Sequence, residues 1–225
     1  MTNYTYSYLI LGLLFLIIWT IFFLWRKDTR KEMILISIFF GIAGLLVEAV
    51  YIQDWWRPIT ITGTLIGIEN FLFGFVIGGI SSVIYEGVFR KRVKEIRNKK
   101  LKLKYFGLLL PGIFLGSFYL LNLNTFISLI LAFSIPTLII YIKRKDLIKD
   151  SLISGLLVLG ISIIVYTILE LITPGWVQAF WYFENVPNII ILNIPIDDFI
   201  WYFLAGAFIG PLYEYWQERK LVNKK

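Results

Sequence analysis

One stretch of this chain is written twice. Residues 67–86 read GIENFLFGFVIGGISSVIYE and residues 195–214 read PIDDFIWYFLAGAFIGPLYE, at an offset of 128 with no gap. Ile68/Ile196, Phe71/Phe199, Phe75/Phe203, Gly78/Gly206, Tyr85/Tyr213 and Glu86/Glu214 are identical, and Glu69 and Asn70 stand opposite Asp197 and Asp198. Apolar stretches resemble each other by chance, but chance does not supply matching acids. Ionisable groups are costly within a bilayer and mark function there. A duplicated acid at one depth therefore predicts a repeated membrane unit that carries a polar site.

Of the 225 residues, 58% are hydrophobic, the composition of a polytopic membrane protein. Apolar segments fall at 6–25, 33–51, 67–89, 105–122, 124–142, 151–173 and 196–216, each near the roughly 20 residues a span needs. The first lacks a basic flank and a cleavage pattern, so it reads as a retained helix and not a signal peptide.

The charge of +7 is a topology signal. Basic runs follow the first segment (Arg26, Lys27, Arg30, Lys31), the third (90–104), the fifth (Lys143, Arg144, Lys145, Lys149) and the seventh (Arg219, Lys220, Lys224, Lys225). With alternating helices, 21 of the 22 Lys and Arg share one side, and only Arg57 is opposite. The positive-inside rule then puts the N-terminus outside and the C-terminus inside a cell membrane, with anionic lipid as the basic partner and no nucleic acid.

The turns 27–32 and 145–150 also resemble each other, at an offset of 118. Both join the first and second helices of a three-helix unit. The expected fold is an all-α membrane protein of seven transmembrane helices, two parallel three-helix repeats joined by a linker helix (3+1+3). The units are 1–104, the linker helix 105–123, and 124–225. The rise in offset predicts an insertion in the sixth helix or in the outer loop after it. Gly74, Gly78 and Ser82 in one copy, and Gly206 and Gly210 in the other, predict close helix packing.

Seven acids fall toward the outer face: Glu48, Asp54, Glu69, Glu170, Glu184, Asp197 and Asp198. Glu69, Asp197 and Asp198 suit helix N-termini as caps. Capping needs no acid on the preceding helix, yet Glu48 and Glu170 supply one in each copy. Clustered carboxyls with one nearby cation can act as general acid and general base. The outer loops hold Trp55, Trp56, Trp176 and Trp181, which form either an interfacial belt or a lid over a cavity. Glu86 and Glu214 sit near the inner helix ends, where they read as interfacial anchors and Glu86 can pair with Arg90.

Pro195-Ile196-Asp197-Asp198-Phe199-Ile200-Trp201-Tyr202, ending in Tyr213-Glu214, resembles the membrane-embedded lycopene cyclase family of bacteria, archaea and fungi, whose helices open on Pro-x-Glu-Glu or Pro-x-Glu-Asp. Gly67-Ile68-Glu69-Asn70-Phe71, ending in Tyr85-Glu86, matches less fully, without the Pro and with Asn for the second acid. The resemblance implies an isomerase of the intramolecular lyase type. An acid protonates the terminal double bond of a linear carotenoid, the next double bond closes a ring on the cation, and a base removes a proton. Asp197, Asp198, Glu69, Glu48 and Glu170 are then the candidate catalytic residues. Trp55, Trp56, Phe71, Trp181, Phe199 and Trp201 are candidates for the substrate wall, and a lipophilic polyene from the bilayer is the partner.

A hydratase would share the first cation and capture it with water. A small carrier would share the 3+1+3 plan, although no ionisable residue lies mid-helix. A retinal receptor needs a buried Lys that no segment contains. Without His or Cys there is no transition-metal ligand set and no thiol chemistry, and no dinucleotide fingerprint occurs. No cofactor or metal is expected, although carboxylates alone can hold Mg²⁺.

Overall fold

The computed structural model describes residues 4–95 and 104–223. The expected basic run 90–104 therefore lies partly outside the described residues, as do Lys224 and Lys225. The long helices are α1 (Ser7–Trp25), α2 (Arg30–Asp54), α3 (Ile68–Val88), α4 (Lys104–Tyr119), α5 (Thr125–Lys143) and α6 (Ile148–Ile172). A short α7 (Trp176–Phe180) follows, then α8 (Ile196–Ile209) and α9 (Leu212–Gln217). Among the described residues, α1, α2, α3, α5, and α6 with the turn before it are long and apolar enough to cross a membrane.

The expected last helix, 196–216, is two helices. Pro211 has no N–H to donate and its ring crowds the preceding turn, so the rod breaks at Gly210–Pro211 and restarts at Leu212. The helix after residue 105 ends early as well. Asn122 takes a left-handed φ of 51°, and the Asn124 side chain accepts the Ile127 N–H at 2.8 Å to start α5.

Successive long helices alternate in direction. At one end Arg26 donates to the backbone carbonyl of Lys91 at 2.7 Å and Arg144 to that of Arg219 at 2.7 Å. This basic end gathers the close of α1, α3, α5 and α9. It also carries strands absent from the sequence reading: β1 (Lys91–Glu95) pairs antiparallel with β4 (Arg219–Asn223). At the other end the Asp54 carboxylate accepts the Thr125 N–H at 3.0 Å, and the Tyr4 hydroxyl donates to the Pro174 carbonyl at 3.1 Å. This second, aromatic end holds the long loops.

Glycines set the tightest packing. A Cβ on Gly74 would meet the Phe40 carbonyl oxygen at 2.2 Å, and one on Gly206 would meet that of Ser154 at 2.8 Å. So α3 lies on α2, and α8 on α6, at backbone distance. Helices α2 and α6 both have 25 residues. The offset stays at 118 through them and is 128 from the start of α3 and α8, so the insertion lies wholly in the loop before α8. That loop contains α7 and a hairpin of β2 (Ile190–Ile191) and β3 (Ile194–Pro195). The hairpin turns on Leu192 and Asn193, both at positive φ, and delivers Pro195 to the start of α8.

Candidate active site

The two aromatic-end loops grip each other. The Arg57 N–H donates to the Phe180 carbonyl at 2.7 Å, the Tyr182 N–H donates to the Trp55 carbonyl at 2.8 Å, and Trp56 bridges to Trp181. Trp55, Trp56, Trp176 and Trp181 are all buried. Rings of an interfacial belt would face outward; these form a packed cover.

Asp197 pins that cover. Its Oδ2 accepts the indole N–H of Trp55 and that of Trp181, the latter at 3.1 Å, and the residue is fully buried. One carboxylate at the start of α8 thus holds a tryptophan from each loop.

Beneath the cover lies a cavity of about 90 Å³. Its polar groups are Glu48 of α2, Asn70 of α3, Tyr166 of α6 and Asp198 of α8, with Tyr8 and Tyr51. Trp55, Trp56, Trp181 and Trp201 line it, with Phe73 and Phe133. The Phe73 and Trp201 rings stack at 5.6 Å. Each half contributes one carboxyl and one partner. Tyr166 donates a hydrogen bond to Asp198 Oδ2, while Asn70 and Trp56 lie beside Glu48, and the Asn70 amide donates to the Tyr8 hydroxyl at 3.2 Å.

The offsets explain this pairing. Position 48 plus the 118 offset is Tyr166, not Glu170, and position 70 plus 128 is Asp198. The two halves carry acid and partner at exchanged positions. The backbone at the two helix starts differs as well. Asn70 Oδ1 accepts the Gly67 N–H at 2.8 Å, a capping task that holds the side chain. The corresponding position 195 is Pro, which has no N–H, so Asp198 is released to face Tyr166.

Of the acids singled out in the sequence, Glu48 and Asp198 line the cavity and Asp197 lies behind its tryptophans. Glu69 and Glu170 are elsewhere. Glu69 accepts the Ile61 N–H at 2.6 Å and braces the loop before α3. Glu170 accepts the Gly175 N–H at 2.9 Å where α6 turns into α7. Phe71 packs on Gly41, and Phe199 packs against the core without lining the cavity. Tyr8, Tyr51 and Tyr166 were not anticipated. Tyr166 was discoverable by applying the first offset to Glu48.

Glu86 corrects the sequence reading. It is not an interfacial anchor: it is 1% exposed, and its carboxyl lies with those of Glu32 and Glu214. Helix α3 ends at Val88 and Arg90 has a φ of 49°, so the two residues do not share a helical face.

The fold and cavity define a helical protein with membrane-length helices around a buried carboxyl–aromatic chamber. The family model described as lycopene cyclase matches residues 2–88 and again 124–216. The chain belongs to that family. The matched regions hold α1–α3 and α5–α9, and β1 and α4 lie between them. Comparison with curated proteins finds no match, and comparison with solved structures finds none.

Proposed function

We propose that this protein closes a ring at the end of a linear carotenoid or similar prenyl chain, by proton transfer and without redox change. The observation that carries the reading is that Asp198 and Glu48, from opposite halves of the chain, line one indole-walled cavity. Asp198 delivers a proton to the terminal double bond. The next double bond attacks the resulting tertiary cation and closes a six-membered ring, moving the positive charge into it. Glu48 removes a ring proton and restores a double bond, so one proton enters and one leaves. The faces of Trp55, Trp56, Trp181 and Trp201 attract the passing cation. The packed cover keeps out water that would capture it. Tyr166 and Asn70 orient the two carboxyls.

The same reading places the protein in the cell membrane as a seven-pass chain. Helices α1–α3 and α5–α9 are the two three-helix repeats, with α8 and α9 together as the last pass, and α4 is the linker. The basic end is inside and the N-terminus outside. The polyene enters from the bilayer.

The test is expression in cells that accumulate lycopene, followed by pigment analysis, with Asp198→Asn and Glu48→Gln beside the unmutated chain. Cyclic product from the unmutated chain, lost in both variants at equal membrane abundance, is expected. A hydroxylated acyclic product would replace the cyclase reading with a hydratase. Unchanged lycopene at verified expression would remove this substrate. A tag within 90–104 reactive only from outside would reverse the orientation.

A further inference from the structure

The mechanism leaves a second set of buried acids unused. At the basic end, Glu32 of α2, Glu86 of α3 and Glu214 of α9 each place a carboxylate oxygen within 4.8 Å of the others. They are 3%, 1% and 0% exposed. Asp150 of α6 is also buried and adds its field to Glu86 and Glu214. The offsets relate Glu32 to Asp150 and Glu86 to Glu214, so each half supplies one acid from each of two equivalent positions.

Glu214 stands apart from the aromatic-end acids, where Glu48, Glu69 and Asp197 each leave only one oxygen buried without a partner. Both Glu214 oxygens, Glu32 Oε1, Glu86 Oε1 and Asp150 Oδ2 are buried with no hydrogen-bond partner in the protein. The nearby cations are Arg26 and Arg219 beside Glu32, and Arg144 toward Glu214, the last paired with Asp146 at 2.8 Å. Arg26 directs its guanidinium to Asp28 and to the carbonyls of Glu86 and Lys91. Arg219 lies over the Tyr213 ring, 5.2 Å from its centre. Of these three guanidiniums, two are already paired with Asp28 and Asp146, so the four carboxylates are not fully compensated. Hard divalent cations take carboxylate oxygens at about 2.0–2.6 Å, which puts opposed ligand atoms roughly 4–5 Å apart. The three oxygens lie close enough together for that.

We propose that Glu32, Glu86 and Glu214, with Asp150 beside them, hold one hard divalent cation, Mg²⁺, Mn²⁺ or Ca²⁺, that ties the two halves together at the basic end. Glu32 and Glu86 come from the first half, and Glu214 and Asp150 from the second. The ion would complete the closure that β1 and β4 make there. It takes no part in the ring chemistry, so the inference does not depend on the cyclase reading.

The rival is a proton. Glu86 and Glu214 approach closely enough to share one. The two differ in what a neutral isostere does. Purified protein in a neutral detergent is stripped with EDTA, desalted, and melted with Mg²⁺, Mn²⁺ or Ca²⁺ at matched ionic strength. Expected are a saturable rise in Tm of about 5–10 °C, one ion per chain by elemental analysis, and a changed Mn²⁺ spin-resonance spectrum on binding. Glu214→Gln and Glu32→Gln each abolish the rise. Either variant suffices if the other does not fold. No cation response, or a response that persists in both variants, overturns the site. A Glu214→Gln protein that melts above the unmutated chain in EDTA and Mg²⁺ alike assigns the cluster to a shared proton.

Discussion

The molecule buries carboxyls at both ends and supplies them with donors unequally. At the aromatic end three have a fixed neutral donor: tryptophan N–H groups for Asp197, the tyrosine hydroxyl for Asp198, the Ile61 amide for Glu69. At the basic end Glu214 has none. Fixed neutral donors shape a carboxyl without cancelling its charge, which suits proton transfer. Bare carboxylates converging from several helices suit an ion. Burial alone therefore does not reveal a carboxyl's task; its donors do.

The largest effect expected is on turnover at the aromatic end. Asp198→Asn keeps the side-chain size and removes the transferable proton, so cyclisation should fall by about 10²–10⁴ while the protein remains folded. Pigment turnover per unit of membrane protein measures it. If Asp197→Asn is the inactive variant and Asp198→Asn is not, the contrast between a cavity acid and a pinning acid breaks.

Tyr166→Phe comes next. Tyr166 donates to Asp198 but contributes no proton in the proposed scheme. Losing one charge-assisted hydrogen bond of about 1.5–3 kcal/mol should slow cyclisation roughly tenfold or more, short of the Asp198→Asn loss. Equal losses would make Tyr166 the donor.

Much of this was legible in the sequence, for identifiable reasons. The ungapped duplicate carried α3 and α8, and hydropathy carried the helices because a lipid-facing helix shows its whole apolar surface. The acids were visible, but their roles were not. Glu69 and Glu170 look like Glu48 in one dimension, and only the loop backbone at Ile61 and Gly175 claims them. The cover was half visible: the tryptophans stood out, but belt and lid share one composition. Glu86 failed because an i, i+4 pairing presumes that the helix continues, and α3 ends between the two residues. The β1–β4 pair was hidden because its basic residues read as a solvated face, whichever backbone they adopt.

A third expected effect is on stability. Asp197→Asn retains an acceptor for the two indoles but removes the charge. Charge-assisted bonds exceed neutral ones by about 1 kcal/mol each, so the folded state should weaken by roughly 1–3 kcal/mol. Cyclisation per folded molecule should be nearly unchanged. A thermal melt beside a turnover assay separates the two readouts. Turnover lost at unchanged stability would move Asp197 into the chemistry.

The smallest effect belongs to Glu170→Gln. Glu170 is half-buried, and one oxygen accepts the Gly175 N–H at 2.9 Å just before α7. Gly175 has a φ of 83°, so the turn is fixed by its glycine as well as by that bond. A glutamine carbonyl accepts the same N–H with neutral strength, and nearby water compensates part of the lost charge. The expected cost is under about 1 kcal/mol, with turnover unchanged. Glu170→Gln is thus the control for Glu48→Gln: the same substitution near the end of an equivalent helix, differing in whether the side chain reaches the cavity. Equal losses of cyclisation in the two would show that helix-end acids matter collectively. Loss in Glu48→Gln alone would tie activity to the position the 118 offset pairs with Tyr166.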